Sequence, residues 1–84
     1  MAPMKVRLLY FAVLRDITGK SEAELSLAEG TRAGDVWSAM RRDYAKLAAW
    51  EQPPLIAVNE RYARPETLLR DGDELAFIPP VAGG

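Results

Sequence analysis

The group in this 84-residue sequence best suited to chemistry lies at its end, in Pro79-Pro80-Val81-Ala82-Gly83-Gly84. Gly83 and Gly84 carry no Cβ, so this end can enter a channel too narrow for any side chain and present the Gly84 carboxylate to another protein's active site. Val81 offers a small apolar grip, and the two prolines fix φ and cannot both donate to a ladder, so a sheet should stop there. Six residues at about 3.3–3.6 Å each would carry the carboxylate roughly 20 Å from the folded body. A terminal carboxylate, with an ordinary pKa of about 3.3–3.7, is ionised and a poor electrophile until one oxygen becomes a leaving group. Activation must therefore come from elsewhere. A Gly-Gly end taken alone is equally an ordinary frayed terminus. The combination of diproline, apolar anchor and unhindered glycines favours a presented carboxylate.

No side chain competes for the role. The sequence has no cysteine and no histidine, which removes disulfides, thiol nucleophiles, imidazole bases and the two best zinc ligands. Ser21 and Ser38 have no nearby base to activate them, and Lys20 and Lys46 read as surface residues. Asp71 and Asp73 flank Gly72, but a calcium loop needs further acidic positions and a closing glutamate that are missing here, so a turn is expected and no metal site.

Composition narrows the class further. Eleven Lys and Arg against twelve Asp and Glu give a net charge of −1, with no positive field to hold nucleic acid or an anionic membrane. The tightest basic pair, Arg41-Arg42, adjoins Asp43 on what reads as a solvated helix face. Lys5 and Arg7 interrupt the early apolar run, so no signal peptide is read, and no stretch approaches the ~20 apolar residues of a membrane span. A cytoplasmic protein is expected, without nucleic-acid or membrane partners.

The elements that must position the tail emerge from periodicity. Met4 to Phe11 alternates apolar and charged residues and then turns continuously apolar, as a first, central strand would. Ala12 to Thr18 has helical spacing, with Gly19 able to end it in the left-handed conformation. Ala23, Leu25 and Leu27 alternate with Glu22, Glu24 and Ser26, the period of a half-buried strand antiparallel to the first. Thr31 stands at an expected N-cap. A helix from about Arg32 to Tyr44 comes next, with Val36, Met40 and Tyr44 beside Trp37 as its core stripe. Ala45 to Trp50 offers a further helical turn before Pro53-Pro54. Leu55 to Val58, Arg61 to Ala63 and Glu74 to Ile78 read as strands, joined by turns at Asn59-Glu60 and Asp71-Gly72. The order β-β-α-β-β-β is an α+β sheet with one main helix across one face, with the folded domain over 1–78 and the extended tail over 79–84.

With those elements in view, the residues resemble a known family. Asp71-Gly-Asp-Glu-Leu-Ala-Phe-Ile-Pro-Pro-Val-Ala-Gly-Gly84, Tyr10-Phe-Ala12, Leu14-Arg-Asp16 and Ala57-Val-Asn59 are similar to the small subunit of molybdopterin synthase. The tail is the most specific part. The resemblance implies the ubiquitin-like β-grasp fold, a mixed sheet, and a sulfur carrier in molybdenum cofactor biosynthesis. It implies that an E1-like adenylyltransferase uses ATP, as the nucleotide bound by that partner, to adenylate Gly84. A sulfur donor, a cysteine desulfurase or rhodanese-like protein, then displaces AMP to leave a terminal thiocarboxylate.

On the same resemblance the tail enters the large synthase subunit, which supplies the catalytic side chains and takes the sulfur to a pterin precursor. The chain is thus a non-catalytic small subunit and sulfur-donating cosubstrate, with no cofactor of its own. Its docking face is implied to include Phe11, Tyr62 and Ile78, each of which could instead be core or scattered surface. Many relatives carry an aromatic where this chain has Ile78. The alternatives are a β-grasp carrier for thiamine, cysteine or tRNA thiolation, a ubiquitin-like protein modifier, and a non-covalent interaction module whose tail is incidental; Pro79-Pro80 favours the molybdopterin branch.

Overall fold

The computed structural model describes residues 3–79. Of the tail, Pro79 is within that range, whereas Pro80, Val81, Ala82, Gly83 and Gly84 lie outside the described residues. Strand β1 (Met4–Tyr10), helix α1 (Val13–Thr18) and strand β2 (Glu22–Leu27) are followed by helices α2 (Ala33–Asp43) and α3 (Ala45–Ala48). Strands β3 (Leu55–Val58), β4 (Arg61–Ala63) and β5 (Glu74–Ile78) complete the order.

The five strands form one mixed sheet in the order β2-β1-β5-β3-β4. The β1–β2 pair is antiparallel, as its alternation predicted, β1–β5 is parallel, and β3 is antiparallel to both β5 and β4. The middle position belongs to β5, with β1 beside it as an inner strand. The expectation of β1 as the central strand is corrected accordingly, because the parallel β1–β5 pairing joins segments too distant for local pattern to reveal. One consequence is that the strand leading to the tail is held on both edges.

Helix α2 covers one face. Val6, Leu8, Tyr10, Leu75 and Phe77 meet Val36, Trp37 and Met40 in a buried core that also takes Leu14, Leu47 and Ile56. Trp37 packs its ring against Phe77 at 5.4 Å and against Trp50 at 5.5 Å between centroids, within the separation at which tilted aromatic pairs attract. Of the stripe expected as core, Val36, Trp37 and Met40 are buried, whereas Tyr44 is the half-buried C-cap of α2, because the helix ends one residue earlier than its spacing suggests.

The start of α2 differs by one residue from expectation. Arg32 is the N-cap, and the Asp35 carboxylate accepts the Arg32 N–H at 2.8 Å. Thr31 is otherwise engaged: its hydroxyl donates to the Ala28 carbonyl at 2.6 Å and closes the preceding turn. The Ala33 and Gly34 N–H groups, which no helical turn can satisfy, donate to Thr67 and Pro65 carbonyls at 2.9 and 2.8 Å. Gly34 is required there, because a Cβ would stand 2.9 Å from the Pro65 Cβ. The β4–β5 connection is thereby fastened to the helix.

Candidate functional site

Strand parity sends neighbouring residues to opposite faces. In β5, Leu75 and Phe77 enter the core, so Glu74, Ala76 and Ile78 occupy the face that α2 leaves open. The same parity in β1 puts Lys5, Arg7 and Leu9 there, opposite in side to Val6, Leu8 and Tyr10. Register then aligns Leu9, Ala76, Ala57 and Tyr62 as successive cross-strand partners in β1, β5, β3 and β4. An apolar row crosses the open face.

One end of this face is charged. Arg7 stands beside Glu74 in the β1–β5 ladder and donates a side-chain hydrogen bond to it. That bond, the nearby Glu74 charge and then Glu22 raise the Arg7 guanidinium above its already high ordinary range. Lys5 and Glu24 pair at 3.3 Å with both side chains largely in water, an arrangement worth little to stability. The other end is apolar. Leu9, Phe11, Ala57, Tyr62, Ala76 and Ile78 line a depression of about 330 Å³, with Glu60 and Glu74 at its rim.

The three residues expected on the docking face are therefore brought together around one depression. Phe11 is 45% exposed and Tyr62 77% exposed, far more than their size permits in a core, and Ile78 is half-buried. Phe11 keeps this place because the chain reverses sharply after it: Ala12 has φ 49° and ψ −123°, a backbone that L-residues rarely adopt. Beyond the reversal, α1 sinks Leu14 completely and ends on Gly19 in the left-handed conformation, as its sequence predicted. Pro79 comes immediately after Ile78, so the tail is rooted at the apolar end of the open face.

Leu9, Ala57 and Ala76 were not singled out by residue type. Parity could have found them: once Val6 and Leu8 are inward, an apolar Leu9 on the wet side has no structural reason to be apolar. The depression offers an apolar surface with two carboxylates and one phenol, and Glu74 is already committed to Arg7. Such a lining suits docking of a protein surface and has no activated nucleophile. Asp71 and Asp73 have turn roles, accepting the Lys5 and Arg70 N–H groups at 2.7 and 2.8 Å. Among the described residues, no helix is long and apolar enough to cross a membrane.

Comparison with known proteins places this geometry. Residues 8–84 match the ThiS family. The molybdopterin synthase sulfur carrier subunit of Mycobacterium tuberculosis is 38% identical over 82 residues, spanning 96% of this chain and 99% of that protein. The solution structure of small archaeal modifier protein 1 from Methanosarcina acetivorans superposes with a TM-score of 0.75 at 28% identity, over the whole of both chains. A chain of the Amycolatopsis orientalis BexX/CysO complex superposes with a TM-score of 0.66 at 25% identity, covering 94% of this chain and 99% of that one. The fold is the ubiquitin-like β-grasp.

Proposed function

This chain belongs to the ThiS family and is a homologue of molybdopterin synthase sulfur carrier subunits, and from that membership we propose that it carries sulfur on the Gly84 carboxylate to a large synthase subunit. The family match runs through Gly84. An E1-like enzyme transfers AMP from ATP to the carboxylate and pyrophosphate leaves; the outer sulfur of a persulfide on a cysteine desulfurase or rhodanese-like donor then displaces AMP to give an acyl disulfide, which a second protein thiol cleaves by forming a disulfide with the donor cysteine. The resulting thiocarboxylate is the form delivered to the pterin precursor.

The observation that carries this reading is the root of the tail. Ile78 closes β5 on the open face beside Phe11 and Tyr62, so a partner seated on that face receives the chain from Pro79 onward at its own surface. The docking area is apolar and shaped, whereas the chemistry falls to a group that the partner can enclose. On this reading the partner supplies the catalytic side chains, in keeping with the lack of His and Cys in this sequence. The BexX/CysO complex is a solved case in which a fold relative is bound to a partner.

Intact mass after incubation with the activating enzyme, ATP and a sulfur source tests the proposal. A gain equal to one oxygen-to-sulfur exchange at the C-terminus supports it. The likeness to an archaeal modifier protein favours one second reading, in which Gly84 forms isopeptide bonds to lysines. Conjugates to other proteins, with no thiocarboxylate, would establish that reading instead.

A further inference from the structure

We propose that the cleft between β2 and α2 is a second docking site, which takes an extended, basic, alternately apolar segment of a partner protein as a strand added to the open edge of β2. Among the described residues, strand β2 lies at the end of the sheet order and pairs with β1 alone. Tyr10 N–H donates to the Ser21 carbonyl at 2.9 Å. Because antiparallel partners alternate between bonded and non-bonded pairs, the β1–β2 register turns the backbone groups of Ala23, Leu25 and Leu27 toward β1. Those of Glu22, Glu24 and Ser26 face outward, a ready template for another strand.

The side chains around that edge state what the added strand should be. Ala23, Leu25 and Leu27 are only half-buried, although they lie on the core side. With Val36, Ala39 and Met40 of α2 they line a cleft of about 370 Å³. A segment bonded to the β2 edge would place every second side chain in this cleft, where apolar residues gain most. Its other side chains would lie on the opposite face beside Glu22 and Glu24. The Glu24 side chain belongs to the opposite face, where it pairs with Lys5; the other charged residues lining the cleft are Asp35 and Asp43 against the single base Lys20, so the lining is net acidic and favours a segment bearing Lys or Arg. Alternation of apolar and basic residues satisfies both faces at once.

This site is independent of the tail. β2 and the strands that carry Ala57 and Tyr62 lie at opposite ends of the sheet, so a partner on β2 leaves the Ala57 and Tyr62 side of the open face to a second protein.

The test is a titration of the isotope-labelled full-length chain with an acetylated, amidated octapeptide of alternating lysine and valine, read by amide shifts and hydrogen exchange. Saturable shifts are expected over residues 22–27 and the facing side of α2, with slowed exchange at Glu22, Glu24 or Ser26. A peptide with glutamate replacing lysine should bind at least about tenfold more weakly. Leu25→Lys should weaken the lysine peptide roughly tenfold. Ser26→Pro removes one outward N–H while sparing the bonds to β1, a substitution that edge strands tolerate, and should weaken binding with the fold retained. Shifts centred on Phe11 and Tyr62, equal binding of the glutamate peptide, indifference to Ser26→Pro, or no shifts at millimolar peptide would each overturn the proposal.

Discussion

Ala57 and Ala76 face each other across the β3–β5 ladder, and both are over 90% buried, at 8% and 7% exposure, on the sheet face turned away from the core. Taller neighbours shade them, so two of the smallest side chains form the floor of the depression at the root of the tail. Filling that floor should block docking without disturbing α2. Ala57→Glu is expected to weaken binding to the large synthase subunit by at least about tenfold, since it inserts an unpaired charge into an apolar contact. Isothermal titration checks this, with far-UV circular dichroism to show that the sheet persists.

Tyr62 and Phe77 should separate recognition from stability. Tyr62 is 77% exposed whereas Phe77 is fully buried against Trp37. Phe77→Ala is expected to cost about 3–5 kcal/mol of folding free energy. Tyr62→Ala should stay within about 0.5 kcal/mol in stability and instead lose roughly 1 kcal/mol or more of partner binding. Urea unfolding and a binding titration on the two variants read both quantities.

Two turns near the site hold side-chain residues where glycine would be easier. Ala12 has φ 49°, and the β3–β4 turn places Asn59 at φ 52° and Glu60 at φ 69°. Left-handed conformations at two successive positions define the hairpin turn that favours Asn-Gly. Glu60→Gly is expected to stabilise the fold by about 1 kcal/mol, raising Tm by about 4–8 °C in a domain of this size. Ala12→Gly should act in the same direction. Calorimetry checks both, and a fall in Tm for Glu60→Gly would show that its side chain contributes more than its backbone costs.

Alkaline stability should report on Tyr10. Burial raises its phenol pKa above the ordinary 10.0, with the neighbouring Tyr44 adding to the shift. The neutral phenol is thus favoured in the folded chain. Its contribution to stability is complete below the unfolded pKa and is lost as pH rises through the higher folded value. Denaturant midpoints should therefore be insensitive to Tyr10 ionisation at neutral pH and decline above about pH 10. Tyr10→Phe should flatten that decline.

Local pattern made much of this molecule legible. The alternation in Ser21 to Leu27 announced β2, the four-residue spacing of Val36, Met40 and Tyr44 announced the core stripe of α2, and Asp71-Gly72 marked the turn into β5. What local pattern could not reveal is which distant strands pair. The placement of β5 between β1 and β3 depends on contacts between segments 67 residues apart in the first case, as in Arg7 with Glu74. The row from Leu9 through Ala76 and Ala57 to Tyr62 exists only once those registers are set. Thr31 was a plausible cap by type, but its hydroxyl serves the turn before it and Asp35 supplies the carboxylate that caps Arg32. Gly34 showed no signal in sequence, because its need arises from the close approach of Pro65.

If Gly84 carries the sulfur, deleting that one residue should abolish delivery. Reconstitution with the activating enzyme, ATP, a sulfur source, the large subunit and the pterin precursor should yield cofactor with the full chain. It should yield none with the chain ending at Gly83, while circular dichroism and Tm remain those of the full chain. Undiminished cofactor formation by the truncated chain would show that sulfur does not travel on Gly84.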